Sequence, residues 1–244
     1  EDKVREWAHV RDSARREGKR VHVGRIFGFV VEKNAELPDG DPRKKFKGRF
    51  VFQGNQVKDE EGLMATFQDL GSAPASMAAG KMIDVIALQQ DCSGGMVDAV
   101  RAYTQATLKG TETWIRLPRE HWPRSWFRQR DENSAEKPKS LRSGNSAPKP
   151  TGGTTANRDD GRFRDPVVPL RLALYGHPDA GSHWEKHCET KLLEQGFTPV
   201  QSWPGVFTHA SLRIVLAAYV DDFKMAGQNR DLKKAWELVG KAVQ

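Results

Sequence analysis

Two aspartates side by side, Asp221 and Asp222, close the tetrapeptide Tyr219-Val220-Asp221-Asp222. The run 214–218 before it is apolar, and Phe223, Met225, Ala226 and Gly227 come after it. Such a pattern reads as strand, two-residue turn, strand, which puts both carboxylates at the tip of a hairpin. Adjacent carboxylates after a buried strand repel each other unless a cation sits on them, and a divalent ion suits the chemistry. The plain alternative is an ordinary turn, where Asp is common. Chemistry with two metal ions needs one more carboxylate on a neighbouring strand. Asp98 answers to this, because apolar Met96 and Val97 precede it and a helix-like stretch runs on to Ala106. Asp98 can equally be a helix N-cap. Asp91, after Gln89-Gln90, is a rival for the same place.

The elements around these residues emerge from periodicity and turn chemistry. Residues 1–20 read as an amphipathic helix, with Val4, Trp7 and Val10 at helical spacing. A β-branched and aromatic stretch from Val21 to Glu32 predicts a strand; Leu37 to Pro42 predicts a turn, and Phe46 to Gln53 a second strand. Residues 63–90 read as mostly helical with a break near 71–74, and a short strand should end at Asp98. A helix from Ala180 to Gln195 should stop at Gly196. Strands are expected at Val206–His209, 213–219 and Phe223–Ala226, with a last helix over 231–243. Residues 131–161 are rich in Ser, Lys, Pro, Gly, Asn and Thr, with Leu141 as the one large aliphatic residue. They read as a flexible insertion.

Composition bounds the function. The chain of 244 residues carries a formal net charge of +7, which suits a polyanionic partner without proving one. Its two cysteines, Cys92 and Cys188, have no zinc-site or disulfide-framework spacing. His183 and His187 lie four apart on a predicted helix but lack an evident third ligand. No apolar run approaches the length of a membrane span, and no signal peptide opens the chain. The start at Glu1 reads as a fragment, or as a piece of a polyprotein or gene model.

Several of these segments together resemble copia-type retrotransposon reverse transcriptases. Asp98 to Ala106 is similar to the segment around that family's first catalytic Asp, with Tyr103 in the aromatic place. Lys47-Gly48-Arg49-Phe50-Val51-Phe52-Gln53-Gly54 is similar to a basic strand followed by Gly. Ala173-Leu174-Tyr175-Gly176, Trp184, Gly196-Phe197 and Pro204-Gly205-Val206-Phe207 come in the family's order, and Trp114-Ile115-Arg116-Leu117-Pro118 resembles another of its segments. The resemblance covers Val21 to Val243 apart from 131–161.

It implies RNA-directed DNA synthesis on an α+β fold, a polymerase palm of ferredoxin-like antiparallel sheet with backing helices plus an N-terminal fingers hairpin. Fingers and first palm would span 21–130, the rest of the palm 162–230, and the start of the thumb 231–244. Asp98, Asp221 and Asp222 would be catalytic and hold two Mg²⁺, with Mn²⁺ as a substitute, and the Ala99 carbonyl would add an oxygen. Lys47 and Arg49 would meet the triphosphate, unless they are a solvated edge strand. Tyr103 would lie beneath the sugar, unless it is a core aromatic. Tyr219, Val220, Tyr175 and Gly176 would support the motifs.

The implied partners are an RNA template, a DNA primer, dNTP and the remaining polyprotein (ribonuclease H, integrase). The implied setting is a cytoplasmic virus-like particle, extending to the nucleus, with no membrane role. Two positions depart from the family: Ala99 replaces the usual Val, and Asp179 stands where Gln is usual, an acid that would repel a triphosphate. Two other readings stay open, a degenerate relic that binds nucleic acid without turnover and a phosphate-processing metalloenzyme that uses no template.

Overall fold

β-Branched and aromatic residues over 21–33, alternation over 45–52 and helical spacing elsewhere give a mixed α and β chain; the computed structural model describes residues 3–67, 72–127 and 163–243. The first elements are β1 (Arg5–Glu6), α1 (Trp7–Glu17), β2 (Val21–Lys33), β3 (Lys45–Phe52), α2 (Met77–Ala87), β4 (Cys92–Asp98), α3 (Ala102–Gln105) and β5 (Glu112–Arg116). After them come β6 (Pro166–Pro169), α4 (Ala180–Glu194), β7 (Thr198–Pro199), β8 (Val206–His209), β9 (Ile214–Tyr219), β10 (Asp222–Gln228) and α5 (Asn229–Ala242).

Two five-stranded sheets result. One has the order β1-β6-β5-β2-β3, the other β4-β10-β9-β8-β7. The first is mixed, since β2 runs parallel to β5 while the other pairs are antiparallel; the second is antiparallel throughout. The chain visits the sheets alternately, so each contains strands from far apart in sequence.

Burial tracks strand parity. In the second sheet Leu216, Phe223 and Met225 are fully buried in the largest core cluster, with Trp184 and Leu192 of α4 and Ala235 and Val239 of α5. Ala217 and Ala226 face the other way, onto Ala79 and Ile83 of α2. Helices thus cover both faces. Each large side chain moved from water into this core contributes about 1.5–3 kcal/mol. A smaller core beneath the first sheet joins Trp7 and Val10 of α1 to Val21, Val23 and Trp114.

Several expectations need correction. The helix expected over 1–20 is confined to Trp7–Glu17, ended by Gly18 in the left-handed conformation, and a short strand precedes it. The mostly helical reading of 63–90 is wrong among the described residues outside Met77–Ala87. Lys58 bridges Met64 there, and the Asp59 carboxylate accepts from the Glu61 and Leu63 amides at 2.9 Å, which folds a turn. The helix expected from Asp98 to Ala106 is one turn, because Arg101 sits at φ 56° just before it. Asp98 is therefore no N-cap; Arg101 holds that position. The segment 131–161 lies outside the described residues.

Candidate active site

An apolar strand that leaves the core must end in a turn open to solvent, and the β9–β10 hairpin makes this turn at Val220 and Asp221. Tyr219 pairs with Asp222 across the hairpin. Val220 has φ 56°, while Asp221 is not in the positive region. A positive φ at only the first central position is the type II′ pattern, which ordinarily takes Gly there. A β-branched residue in its place stores strain of order 1–3 kcal/mol. Two hydrogen bonds hold the turn. The Trp184 indole Nε1 donates to the Val220 carbonyl at 2.6 Å, and the Ala99 amide donates to the Asp221 carbonyl at 2.6 Å.

The second bond docks the first aspartate onto the hairpin. β4 pairs with β10 so that Asp98 stands directly opposite Asp222. The Ala99–Asp221 bond makes the next pair the hydrogen-bonded one. Asp98 and Asp222 are therefore a non-hydrogen-bonded pair, the kind with Cα atoms only about 4.5 Å apart and side chains on one face. Asp222 has its pKa raised by burial, by a side-chain hydrogen bond with Asp98, and by the charges of Asp221 and Asp98. Three carboxylates from segments more than a hundred residues apart are thus gathered at one strand end. Asp91 is not among them. It precedes the opposite end of the seven-residue β4, roughly 20 Å away at the rise of a strand.

The aromatic residues border this cluster. Tyr103 and Tyr175 meet edge to face, with ring centroids 4.4 Å apart. Burial raises both phenol pKa values, and the Asp221 charge raises both further; on Tyr175 the Arg49 charge acts in the opposite sense. Arg49 and Asp221 therefore both lie within electrostatic reach of Tyr175. Lys47 and Arg49 are exposed on β3, the edge strand of the first sheet. The join between strand and cluster explains the Ala-Leu-Tyr-Gly stretch. The Phe52 amide donates to the Tyr175 carbonyl at 2.8 Å. Gly176 has φ +88°, and a Cβ on it would lie 2.1 Å from the Phe52 carbonyl oxygen.

Asp179 is half-buried at the N-cap of α4, where its own backbone amide donates to His177 Nδ1 at 3.2 Å. His177 is buried, touching the Thr113 hydroxyl at 3.4 Å and the rings of Phe52 and Phe67. Its pKa is lowered to about 4, chiefly by burial and then by His183 and His22. Nothing in the sequence pattern singles out His177, or the grip of Trp184 on the turn. Cys188 is buried, which pushes its thiol up to about 12 and leaves it inert. His187 stacks on Trp184, and among the described residues no three His, Cys, Asp or Glu side chains are grouped so as to hold an ion as they stand. No helix among the described residues is long and apolar enough to cross a membrane. Neither a protein-family model nor a curated protein matches this sequence.

Proposed function

We propose that this chain is the fingers-and-palm portion of an RNA-directed DNA polymerase of the copia type. The second sheet would be the palm, with a ferredoxin-like core, and the β2–β3 hairpin the fingers. The observation that carries the reading is the register that sets Asp98 opposite Asp222 beside a strained turn presenting Asp221. A fold has little reason to gather three carboxylates at one point unless positive charge is to sit there.

The residues suit divalent cations, because Asp98 stands opposite Asp222 beside Asp221, and a cation would relieve the charges of Asp221 and Asp98 that, after burial and the Asp98 hydrogen bond, raise the Asp222 pKa. Asp98, Asp221 and Asp222 would hold two Mg²⁺ or Mn²⁺ ions, with the Ala99 carbonyl as a further oxygen. When bound, such ions help deprotonate a primer 3′-hydroxyl and neutralise charge on the triphosphate. Lys47 and Arg49 would add positive charge where the triphosphate lies. Tyr103, braced by Tyr175, would lie beneath the sugar and exclude a 2′-hydroxyl. RNA template, DNA primer and dNTP are the proposed partners, with the remaining polyprotein. The proposed setting is a virus-like particle in the cytoplasm, and the nucleus.

Asp179 favours a second reading, nucleic-acid binding without turnover, because it keeps an acid at the start of α4 where the family usually has Gln. Primer extension on a poly-A template with Mg²⁺ or Mn²⁺ separates the two. Asp221→Asn should reduce extension by orders of magnitude and leave primer–template affinity nearly unchanged, since that affinity comes mainly from Lys and Arg. A parent protein that extends no better than the variant would overturn the polymerase reading.

A further inference from the structure

The β2–β3 ribbon has two faces of opposite chemistry. Residues directly opposite in an antiparallel pair share a face, and the face changes at each step along a strand. The register sets Phe27 against Val51, Phe29 against Arg49, Val31 against Lys47 and Lys33 against Lys45. One face therefore carries Lys33, Lys45, Lys47 and Arg49 with Phe27 and Phe29, and no acid. The other carries Val30, Phe46 and Phe50 with Glu32, the one acid of the two strands.

The basic face is left open. Like charges directly opposite each other, as Lys33 and Lys45 are, destabilise a ribbon unless an anion lies on them. The nearby acids Glu32 and Asp39 hold Lys44 instead, at 3.6 and 2.9 Å. Among the described residues, none of the four cations on the basic face has an ion pair. Phe27 and Phe29 touch each other, with ring centroids 6.0 Å apart, yet stay 41% and 38% exposed. The face also leads to the carboxylates. Arg49 and Asp221 both act on Tyr175, and the Phe52 amide ties the same strand to the Tyr175 carbonyl. Lys45 stands four residues further out on β3, about 13 Å away at the rise of a strand.

We infer that this face binds single-stranded nucleic acid, with Lys33 and Lys45 taking backbone phosphates and the Phe27 and Phe29 rings lying against unpaired bases. Four cations without an acid complement a polyanion, and exposed rings among them suit a strand whose bases are free. A duplex would meet the same cations but keep its bases from the rings. Continuity with the carboxylates favours a polymer that runs on into the site over a lipid surface. The inference rests on the polymerase reading for its direction, the template running outward from the site along β3, yet binding is measured without turnover.

The test is fluorescence anisotropy of labelled (rU)12 and (dT)12, and of the matching duplex, at several salt concentrations. Lys33→Gln/Lys45→Gln lies outside the proposed nucleotide site and should lose about tenfold in single-strand affinity. Its slope of log K against log salt should fall by about 1.4, the loss of two single-strand phosphate contacts. Phe29→Ala should weaken single-strand binding about fivefold or more, with the slope and the duplex affinity unchanged. The altered side chains are exposed, so the variants should keep the parent's circular dichroism. Unchanged affinity and slope in the double variant would overturn the inference. So would competition by phosphatidylserine vesicles as readily as by unlabelled strand, which would assign the face to a membrane surface. If extension fails while these binding changes appear, the polymerase reading falls and this face stands. If extension succeeds and the variants bind normally, the reverse holds.

Discussion

The indole of Trp184 and the carbonyl of Val220 are the smallest unit on which the candidate site depends. Trp184→Phe keeps most of the buried ring but removes the one N–H, leaving the Val220 carbonyl without that donor. Losing such a bond costs about 1–3 kcal/mol, so the melting temperature should fall by roughly 2–12 °C at this chain length. Extension should drop while oligonucleotide affinity holds; equal stability and equal extension would show that the turn needs no such support.

His177 sets a pH limit at the same scale. Its folded pKa, about 4, lies below the ordinary value of 6.5. The unfolded chain therefore binds the extra proton first as pH falls, and stability is lost progressively from about pH 6.5 down to about pH 4. The whole effect is of order 3 kcal/mol. His22 is lowered by burial too and acts in the same direction. Denaturant melts of parent and His177→Asn at pH 7, 5.5 and 4.5 check this, and the variant should lose less stability on acidification.

Among the elements, the contact between β3 and the 175–176 segment is the most sharply specified. Gly176→Ala adds a Cβ 2.1 Å from the Phe52 oxygen at φ +88°. The loss should be about 1–3 kcal/mol or more, and a melting temperature unchanged within a degree would show that the contact yields easily.

This level also shows what the sequence made readable. The β9–β10 hairpin was plain because Ile214 to Ala218 is apolar and Asp221-Asp222 breaks it, and the β2–β3 ribbon was plain from the β-branched and aromatic residues of 21–32 and the turn residues of 37–42. The strands β1, β6 and β7 were not. They have two, four and two residues, and Pro166, Pro169 and Pro199 argue locally against strand. Pairing makes them strands, β1 with the distant β6, β6 with β1 and β5, and β7 with the following β8. Asp98, Asp221 and Asp222 were chosen by residue type, whereas their convergence depends on the β4–β10 register, which no local pattern encodes.

At the scale of the whole molecule, neither sheet belongs to one stretch of sequence. The first takes β6 from beyond residue 160 to sit between β1 and β5, and the second pairs β4 with β10 alone. A piece ending at residue 130 thus lacks the strand that joins β1 to β5 and every partner of β4. It should show no cooperative thermal transition by circular dichroism, although the sequence invites a boundary there. A sharp transition in that piece would mean that α1, β2, β3 and β5 suffice as a folding unit.

The pairing of β4 with β10 also has a cost in time. On a ribosome adding about 5–20 residues per second, β4 emerges some six to twenty-five seconds before the strand that covers it. During that interval the backbone edge next to Asp98 is open to any other strand, including the same edge on a neighbouring nascent chain. The glycines Gly94 and Gly95 and the charge on Asp98 make β4 a poor template for such pairing. A strand that was a better β-former by itself would wait less safely.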